Sequence, residues 1–256
     1  MRLDQYLVSK GYFSSREKAL RAIKGESVFV NNKLITKPAF DVNESDNISV
    51  NNANICPYVS VGGLKLERAI NYFNLDFKDK IVLDIGSSTG GFTDCALAHG
   101  AKLCYSVDVG KNQLDTSLRY NPKVKVFEET NILDFNTDVI FDYLVMDVSF
   151  ISITKIIPHI MRFLNKKNML VCLIKPQFEV GTIKLKNGVV KDKNKHKEVI
   201  DLIHSFIHGL GIYINDLTYS TQKGKTGNIE YLIIVSKNPI CKNYDISKVV
   251  NESHEM

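Results

Sequence analysis

Two lysines and two carboxylates stand where a sheet edge could gather them. Asp147 closes the apolar run 143–147, Lys175 closes the run 169–175, and Glu230 lies at the head of the run 229–235. Lys65 sits in Gly62-Gly63-Leu64-Lys65-Leu66-Glu67, just ahead of a helix that precedes the first strand of the series. Lysines beside carboxylates can hold a hydroxyl in place or take its proton. Taken singly, each is more often a surface charge or a structural ion pair. The case for chemistry is that they come from independent strand ends. One edge collects them if the run 212–219 is parallel to its neighbours and the last strand is antiparallel.

A second constellation surrounds a turn. The buried-strand run 81–85 leads into Gly86-Ser87-Ser88-Thr89-Gly90-Gly91 and then a helix over 92–99 that ends at Gly100. Strand, glycine turn and helix place backbone N–H groups and small residues against a nucleotide-like ligand. The spacing is neither G-x-G-x-x-G nor a phosphate loop ending in Gly-Lys-Ser/Thr, and a glycine turn alone is more often plain turn geometry. Asp108 closes the second strand 24 residues after Asp84. That is near the spacing at which an acid reaches a ribose hydroxyl. Turn and acid together indicate an adenosine-bearing cofactor without phosphate recognition, and S-adenosylmethionine fits.

These residues need a scaffold, and the pattern supplies one. Strands are expected at 81–85, 103–109, 123–127, 143–147, 169–175, 212–219 and 229–235. Helices are expected between them, including 152–164 despite Pro158, and one carrying Val199, Leu202, Ile203, Phe206 and Leu210 on a stripe. Such alternation predicts an α/β fold with a seven-stranded, mostly parallel, Rossmann-like sheet covered by helices on both faces.

The first 40 residues differ in character. They hold eight basic side chains and three acids, so they carry +5, which is the whole net charge of the 256-residue chain. A helix over 3–12 is stopped by Gly11, and Ser14 with Glu17 forms a capping box for a second helix ending at Gly25. That helix places Leu20 and Ile23, with Ala19 nearby, on one face and Arg16, Lys18, Arg21 and Lys24 around the others. Val28 and Val30 alternate before a turn at Asn31-Asn32, and 48–50 reads as a last strand. The whole is a small α+β unit. Its charge suits a polyanion, although charge runs usually do no more than solvate a helix face.

Composition narrows the remainder. With 44% apolar and 24% charged residues the chain reads as globular, not disordered or collagen-like. No apolar run approaches the roughly 20 residues of a membrane-spanning helix, and no secretory signal is visible, so a cytoplasmic protein is expected. Five scattered cysteines, Cys56, Cys95, Cys104, Cys172 and Cys241, point to reduced thiols with no disulfide framework or zinc site. His204 and His208 lie four apart on a helix, but no glutamate between them completes a metal-hydrolase motif, and no metal is expected. The basic run Lys184, Lys186, Lys191, Lys193, Lys195 and Lys197 is equally a loop over a polyanion or a solvated linker.

Two resemblances join these observations. Arg2-Leu3-Asp4, Ser15-Arg16-Glu17, Gly25, Val28, Val30-Asn31 and Lys37-Pro38 resemble the RNA-binding domain named after ribosomal protein S-four. This implies RNA contacts at Arg2, Arg16 and Lys37, with Lys18 and Arg21 on the same surface. The segments Ser60 to Leu66, Asp84 to Asp94, Asp108 to Leu114, Asp147 to Ser152, Ile174 to Glu179 and Gly227 to Tyr231 resemble, in order, the TlyA family. That family joins the RNA-binding domain to an FtsJ-like methyltransferase. The resemblance implies domains at 1–57 and 65–240, a linker at 58–64 and a tail at 241–256. Its Lys-Asp-Lys-Glu catalytic set falls on Lys65, Asp147, Lys175 and Glu230. It implies a site for S-adenosylmethionine at Asp84, Gly86, Ser87, Ser88, Thr89, Gly90, Gly91, Phe92, Asp108, Val109, Asn131 and Asp147. Val61 stands where arginine is expected.

The activity so implied is methylation of a cytidine ribose 2′-hydroxyl in ribosomal RNA, with ribosomal RNA or a subunit as partner, no membrane and no obligate protein partner. A lysine serves as base there only if its pKa falls from about 10.4 toward neutrality, which a neighbouring cation and desolvation would promote. Lys175 is the expected proton acceptor, with Lys65 repelling it and the two acids orienting both. The start at the Arg-Leu-Asp motif and the roughly 20 residues after the last strand match the shorter family type, which acts on large-subunit 23S RNA alone. The longer type acts on 16S and 23S RNA. Such methylation bears on capreomycin and viomycin susceptibility. Rival readings are a pore-forming haemolysin, a label the family often carries, and a non-catalytic RNA-binding assembly factor.

Overall fold

The computed structural model describes residues 1–13, 15–51, 56–181, 186–224, 226–239 and 244–256, and divides into two compact units, Met1–Val59 and Ser60–Met256. Ser14, Lys184 and Cys241 lie outside the described residues, as does the side chain of Lys186. Cys104 and Cys172 are buried free thiols.

In the first unit, α1 (Leu3–Ser9) stops at Gly11, whose φ of +77° lets the Gly11 and Tyr12 N–H groups turn back to Val8 and Leu7 carbonyls. The second helix, α2 (Arg16–Lys24), is capped by Ser15, whose hydroxyl accepts from the Lys18 N–H at 3.3 Å. It buries Ala19, Ala22 and Ile23, while Leu20 is only half-buried. Three short antiparallel strands follow, β1 (Val28–Val30), β2 (Lys33–Leu34) and β3 (Ile48–Val50), in the order β2-β1-β3. Asn31 and Asn32, both at positive φ, make the β1–β2 turn, whose twist suits a tight hairpin. Leu3, Leu7, Ile23, Val28 and Val30 are the centre of this unit's core.

The second unit opens with α3 (Gly62–Phe73), β4 (Ile81–Ile85), α4 (Gly91–Ala98) and β5 (Leu103–Val107). Then come α5 (Thr116–Arg119), β6 (Val124–Phe127), β7 (Tyr143–Met146), α6 (Ile157–Ile160) and β8 (Met169–Ile174). It closes with α7 (Pro176–Glu179), α8 (Lys193–Gly209), β9 (Tyr213–Tyr219), β10 (Tyr231–Ser236) and α9 (Ile246–Ser253). The sheet order is β6-β5-β4-β7-β8-β10-β9. Pairing is parallel as far as β8, and β10 runs antiparallel to both β8 and β9. This is the seven-stranded, mostly parallel sheet expected. Strands buried on both faces, such as β8 with Leu170 to Ile174 inaccessible, explain the continuous apolar runs.

Several details differ from expectation. The α3 helix begins at Gly62, so Lys65 lies within it and 62–64 are helical instead of linker. The stretch 153–163 is three short pieces, because Pro158 has no N–H to continue a single hydrogen-bond ladder. In α8 the buried stripe is His196, Val199, Ile200, Ile203 and Ile207, with Leu202 54% exposed. His196 can be buried because its ring nitrogens meet Tyr231 Oη at 2.8 Å and the Val190 carbonyl at 2.9 Å. The expected tail holds α9, which Asp245 caps and which buries Val249 and Val250 in the large core.

One buried charge ties the first unit together. The Asp4 carboxylate is inaccessible and receives Arg2 Nε at 3.0 Å and Arg16 at 2.8 Å. Chiefly through the Arg2 hydrogen bond, and against the effect of burial, its pKa is held down to about 2. A carboxyl lowered in the folded state stabilises fully above its unfolded pKa and loses that contribution as pH falls toward 2. Asp4→Asn is expected to weaken the unit by about 2 kcal/mol, the value of hydrogen bonds to charged groups. Amide hydrogen exchange of residues 1–24 at neutral pH should then speed roughly 30-fold, with exchange in β4 unchanged.

Candidate active site

Strand register brings the ionisable residues together. Met146 pairs with Cys172, and Ile174 pairs with Tyr231, so Asp147, Lys175 and Glu230 all leave the sheet at one edge. The first turn of α3 delivers Lys65 to the same place. Lys65 Nζ donates to Glu230 Oε2 at 2.5 Å and lies 4.0 Å from Asp147 Oδ2. Lys175 Nζ pairs with Asp147 Oδ1 at 2.5 Å and donates to Ser149 Oγ at 2.9 Å. Asp147 therefore lies between two ammonium groups, one per oxygen, while Glu230 serves Lys65. Lys65, Lys175 and Glu230 are 6%, 7% and 2% exposed. Charges this enclosed persist only because they are paired, and removing one partner typically costs 3–5 kcal/mol.

The cluster stands where two cavities meet. The first, about 540 Å³, is lined by all four of these side chains together with Val61, Phe150, Phe178, Lys223 and the turn residues Gly86, Ser87, Ser88, Thr89, Gly91 and Phe92. The second, about 500 Å³, is lined by Gly86, Ser88, Asp108, Val109, Asn131, Ile132, Leu133, Asp147 and Val148, among others. Both volumes are ordinary for small-ligand sites.

The turn is shaped by contacts. Gly86 has a φ of +79°, and a Cβ there would come 2.8 Å from the Asp147 carbonyl, so glycine lets β4 and β7 end side by side. A Cβ on Gly91 would meet Ser60 Oγ at 2.4 Å, so this glycine permits α4 to approach the start of α3. Asp108 accepts the N–H groups of Ser88 at 2.8 Å and Gly110 at 2.7 Å, which fixes its carboxylate at the cavity. Behind it, Glu128 takes the N–H groups of Asn112, Gln113 and Leu114 and an Arg119 guanidinium. Burial would raise the Glu128 pKa, but Arg119 and the three N–H donors hold it down to about 2.

Of the expected cofactor residues, Gly86, Ser88, Asp108, Val109, Asn131 and Asp147 line the second cavity, Ser87, Thr89, Gly91 and Phe92 line only the first, and two line neither. Asp84 is fully buried and lines neither cavity. It accepts from Thr93 Oγ1 at 2.6 Å, and burial, opposed by that bond, pushes its pKa up to about 7. Its place is beneath the turn. Gly90 also lines neither cavity; it caps α4, and a Cβ would strike Leu118 at 2.3 Å. In the first unit Asp4 brings Arg2 and Arg16 together, while Lys18 and Lys37 are exposed and Arg21 is half-buried.

Other residues had no sequence signal. Phe150 is 91% exposed at a φ of +66° and borders both cavities, with its ring 5.2 Å from that of Phe178. A left-handed conformation at a non-glycine residue costs about 1–2 kcal/mol, and here it presents an aromatic face. Arg162 donates to the carbonyls of Ile132, Leu133 and Phe135, pinning the segment that lines the second cavity. Its partners lie some 30 residues upstream, beyond any local pattern.

The second cavity suits one class of cofactor. Its described lining has acids at Asp108 and Asp147 and no lysine or arginine. Such a lining disfavours phosphates and accepts a cationic adenosyl group, with Asp108 for ribose hydroxyls and Ile132, Leu133 and Ile156 for an apolar ring. S-adenosylmethionine is of this kind.

The chain matches known families and proteins over nearly its whole length. Residues 58–237 match the FtsJ-like methyltransferase family and residues 1–48 match the S4 domain. The chain is 45% identical to Hemolysin A of Brachyspira hyodysenteriae, over 91% of this chain and 98% of that one. It is 37% identical to the 23S rRNA (cytidine-2′-O)-methyltransferase TlyA of Campylobacter jejuni, over 93% and 100% of the two chains. With the 16S/23S rRNA (cytidine-2′-O)-methyltransferase TlyA of Mycobacterium tuberculosis it shares 33% identity over 91% and 88%. A solved Streptococcus thermophilus chain, named for a hemolysin, superposes with a TM-score of 0.78 at 35% identity, over 100% of this chain and 96% of that one. Among the described residues, no helix is long and apolar enough to cross a membrane. The chain belongs to the TlyA family, S-adenosylmethionine-dependent methyltransferases in which an S4 RNA-binding domain precedes an FtsJ-like catalytic domain.

Proposed function

We propose that this protein methylates the ribose 2′-hydroxyl of a cytidine in ribosomal RNA, and that its target is the large-subunit RNA alone. The observation that carries the reading is the buried Lys65–Asp147–Lys175–Glu230 cluster at the junction of the second cavity, which suits the donor, and the first, which has room for a nucleotide. Relatives acting on ribosomal cytidine support the substrate.

The bound donor supplies an electrophilic methyl group. The protein must hold the hydroxyl in line with it and accept the proton released as the new C–O bond forms. Lys175, between Asp147 and Ser149, is the group we assign to that proton. Asp147 orients Lys175, and Glu230 keeps Lys65 facing the shared carboxylate. Phe150 offers a stacking face for the base of the nucleotide whose ribose is engaged. Arg2, Arg16, Lys18, Arg21 and Lys37 of the S4 domain supply phosphate contacts, which set affinity and register.

Lys175→Ala is expected to lower the methylation rate at least 10³-fold, within the range for a lost acid–base group, while the calorimetric Kd for S-adenosylmethionine stays similar. Weakened cofactor binding with a surviving rate would contradict the assignment. Phe150→Ala should reduce kcat/KM for RNA by roughly tenfold, the scale of one lost stacking contact, without changing that Kd. Mapping 2′-O-methyl groups in ribosomal RNA from cells with and without the protein should show one large-subunit cytidine gained and no small-subunit change. Capreomycin and viomycin susceptibility should shift with it. A small-subunit methyl would replace the single-target reading with a dual one.

A further inference from the structure

The first cavity has a charge that the catalytic cluster does not explain. Its described ionisable lining residues are Lys65, Lys175, Asp147, Glu230 and Lys223. The first four cancel, two positive and two negative, and are bound to one another. Lys223 leaves the wall with one positive charge that no lining acid balances. It is exposed, and its Nζ lies 3.4 Å from an oxygen of the terminal Met256 carboxylate, an anion outside the cavity lining that an entering phosphate would displace.

The backbone beneath this lysine is fixed relative to the cluster. The Gly224 N–H donates to the Asn228 carbonyl at 2.9 Å, and that of Gly227 to the Gly224 carbonyl at 2.8 Å. Asn228 is fully buried; its Nδ2 donates to the Gly188 carbonyl and to Thr226 Oγ1, and its Oδ1 accepts from the Val190 N–H. A Cβ on Gly224 would come within 2.5 Å of Glu230 Oε1, so the chain next to Lys223 runs directly against the carboxylate that holds Lys65. The neighbouring Gly224 is thus tied by a hydrogen bond beside the cluster, and the four-carbon stem of Lys223 reaches the cavity rim.

We propose that Lys223 binds a backbone phosphate of the target nucleotide and so holds its ribose over the Lys65–Asp147–Lys175–Glu230 cluster. The inference rests on the RNA substrate argued above. A nucleotide whose 2′-hydroxyl reaches Lys175 brings phosphates within about one sugar of the rim. An ammonium on a flexible stem is a point charge suited to such an oxygen. A contact of this kind acts equally on substrate and transition state, so it sets KM more than kcat.

The test compares wild type, Lys223→Gln, Lys223→Arg and Lys102→Gln, the last removing an exposed charge at the opposite edge of the sheet, beside the start of β5. Methyl transfer to large ribosomal subunits lacking the modification gives kcat and KM. Binding to the same subunits across a potassium chloride series gives the salt dependence. Lys223→Gln is expected to raise KM about tenfold with kcat within about twofold, and to reduce the salt slope by about 0.7–0.9, one phosphate contact. Lys223→Arg should restore both. If Lys223→Gln matches Lys102→Gln in KM and slope, Lys223 is a solvated surface charge and the proposal falls. Should wild type bind subunits without methylating them, the catalytic reading fails, and the salt slope still decides the role of Lys223.

Discussion

The Asp147 carboxylate, held between two lysines, is the interaction on which the site depends. It takes Lys175 on one oxygen and faces Lys65 with the other, while Glu230 supplies the second negative charge. Enclosure makes the arrangement demanding: an unpaired ion in this position would be costly, so each of the four side chains requires the other three. The electrostatic balance also leaves nothing spare for a substrate phosphate, which is why a charge outside the cluster matters.

The fold provides this balance through register and close approach. Parallel β4, β7 and β8 end together, and antiparallel β10 begins where β8 ends, so residues distant in the chain arrive at one edge. Gly86 allows β4 to end against the Asp147 backbone, and Gly91 allows α4 to pack at the start of α3, which brings Lys65 in from the side. A side chain at either position would push apart elements that the cluster needs within hydrogen-bond reach. The second cavity is built separately, with Asp108, Glu128 and Arg162 fixing its loops by hydrogen bonds to the backbone. The two cavities therefore share Asp147 as a wall while relying on different supports.

Much of this was legible before folding was considered. Continuous apolar runs marked strands buried on both faces, and ionisable residues at their ends marked the functional edge. The glycine turn with Asp108 indicated a phosphate-free adenosyl ligand. Helical details were less legible. Apolar spacing puts Val199, Leu202, Ile203, Phe206 and Leu210 on the α8 stripe, whereas a hydrogen-bonded His196 belongs to the buried face and Leu202 does not. Polar burial depends on a partner, and that partner, Tyr231, is 35 residues away.

What the sequence determined by itself was the alternation of elements and the residue types at strand ends, because periodicity and local turn chemistry are properties of neighbours along the chain. Tertiary structure alone decided which oxygen of Asp147 each lysine takes and that Asp84 supports the turn from below instead of lining a cavity. It also decided that Phe150 stands exposed between the two chambers, and that Lys223 is left without a lining acid to balance it. Those outcomes follow from distances between residues remote in sequence, and such distances are set only when strands take their register and helices their packing.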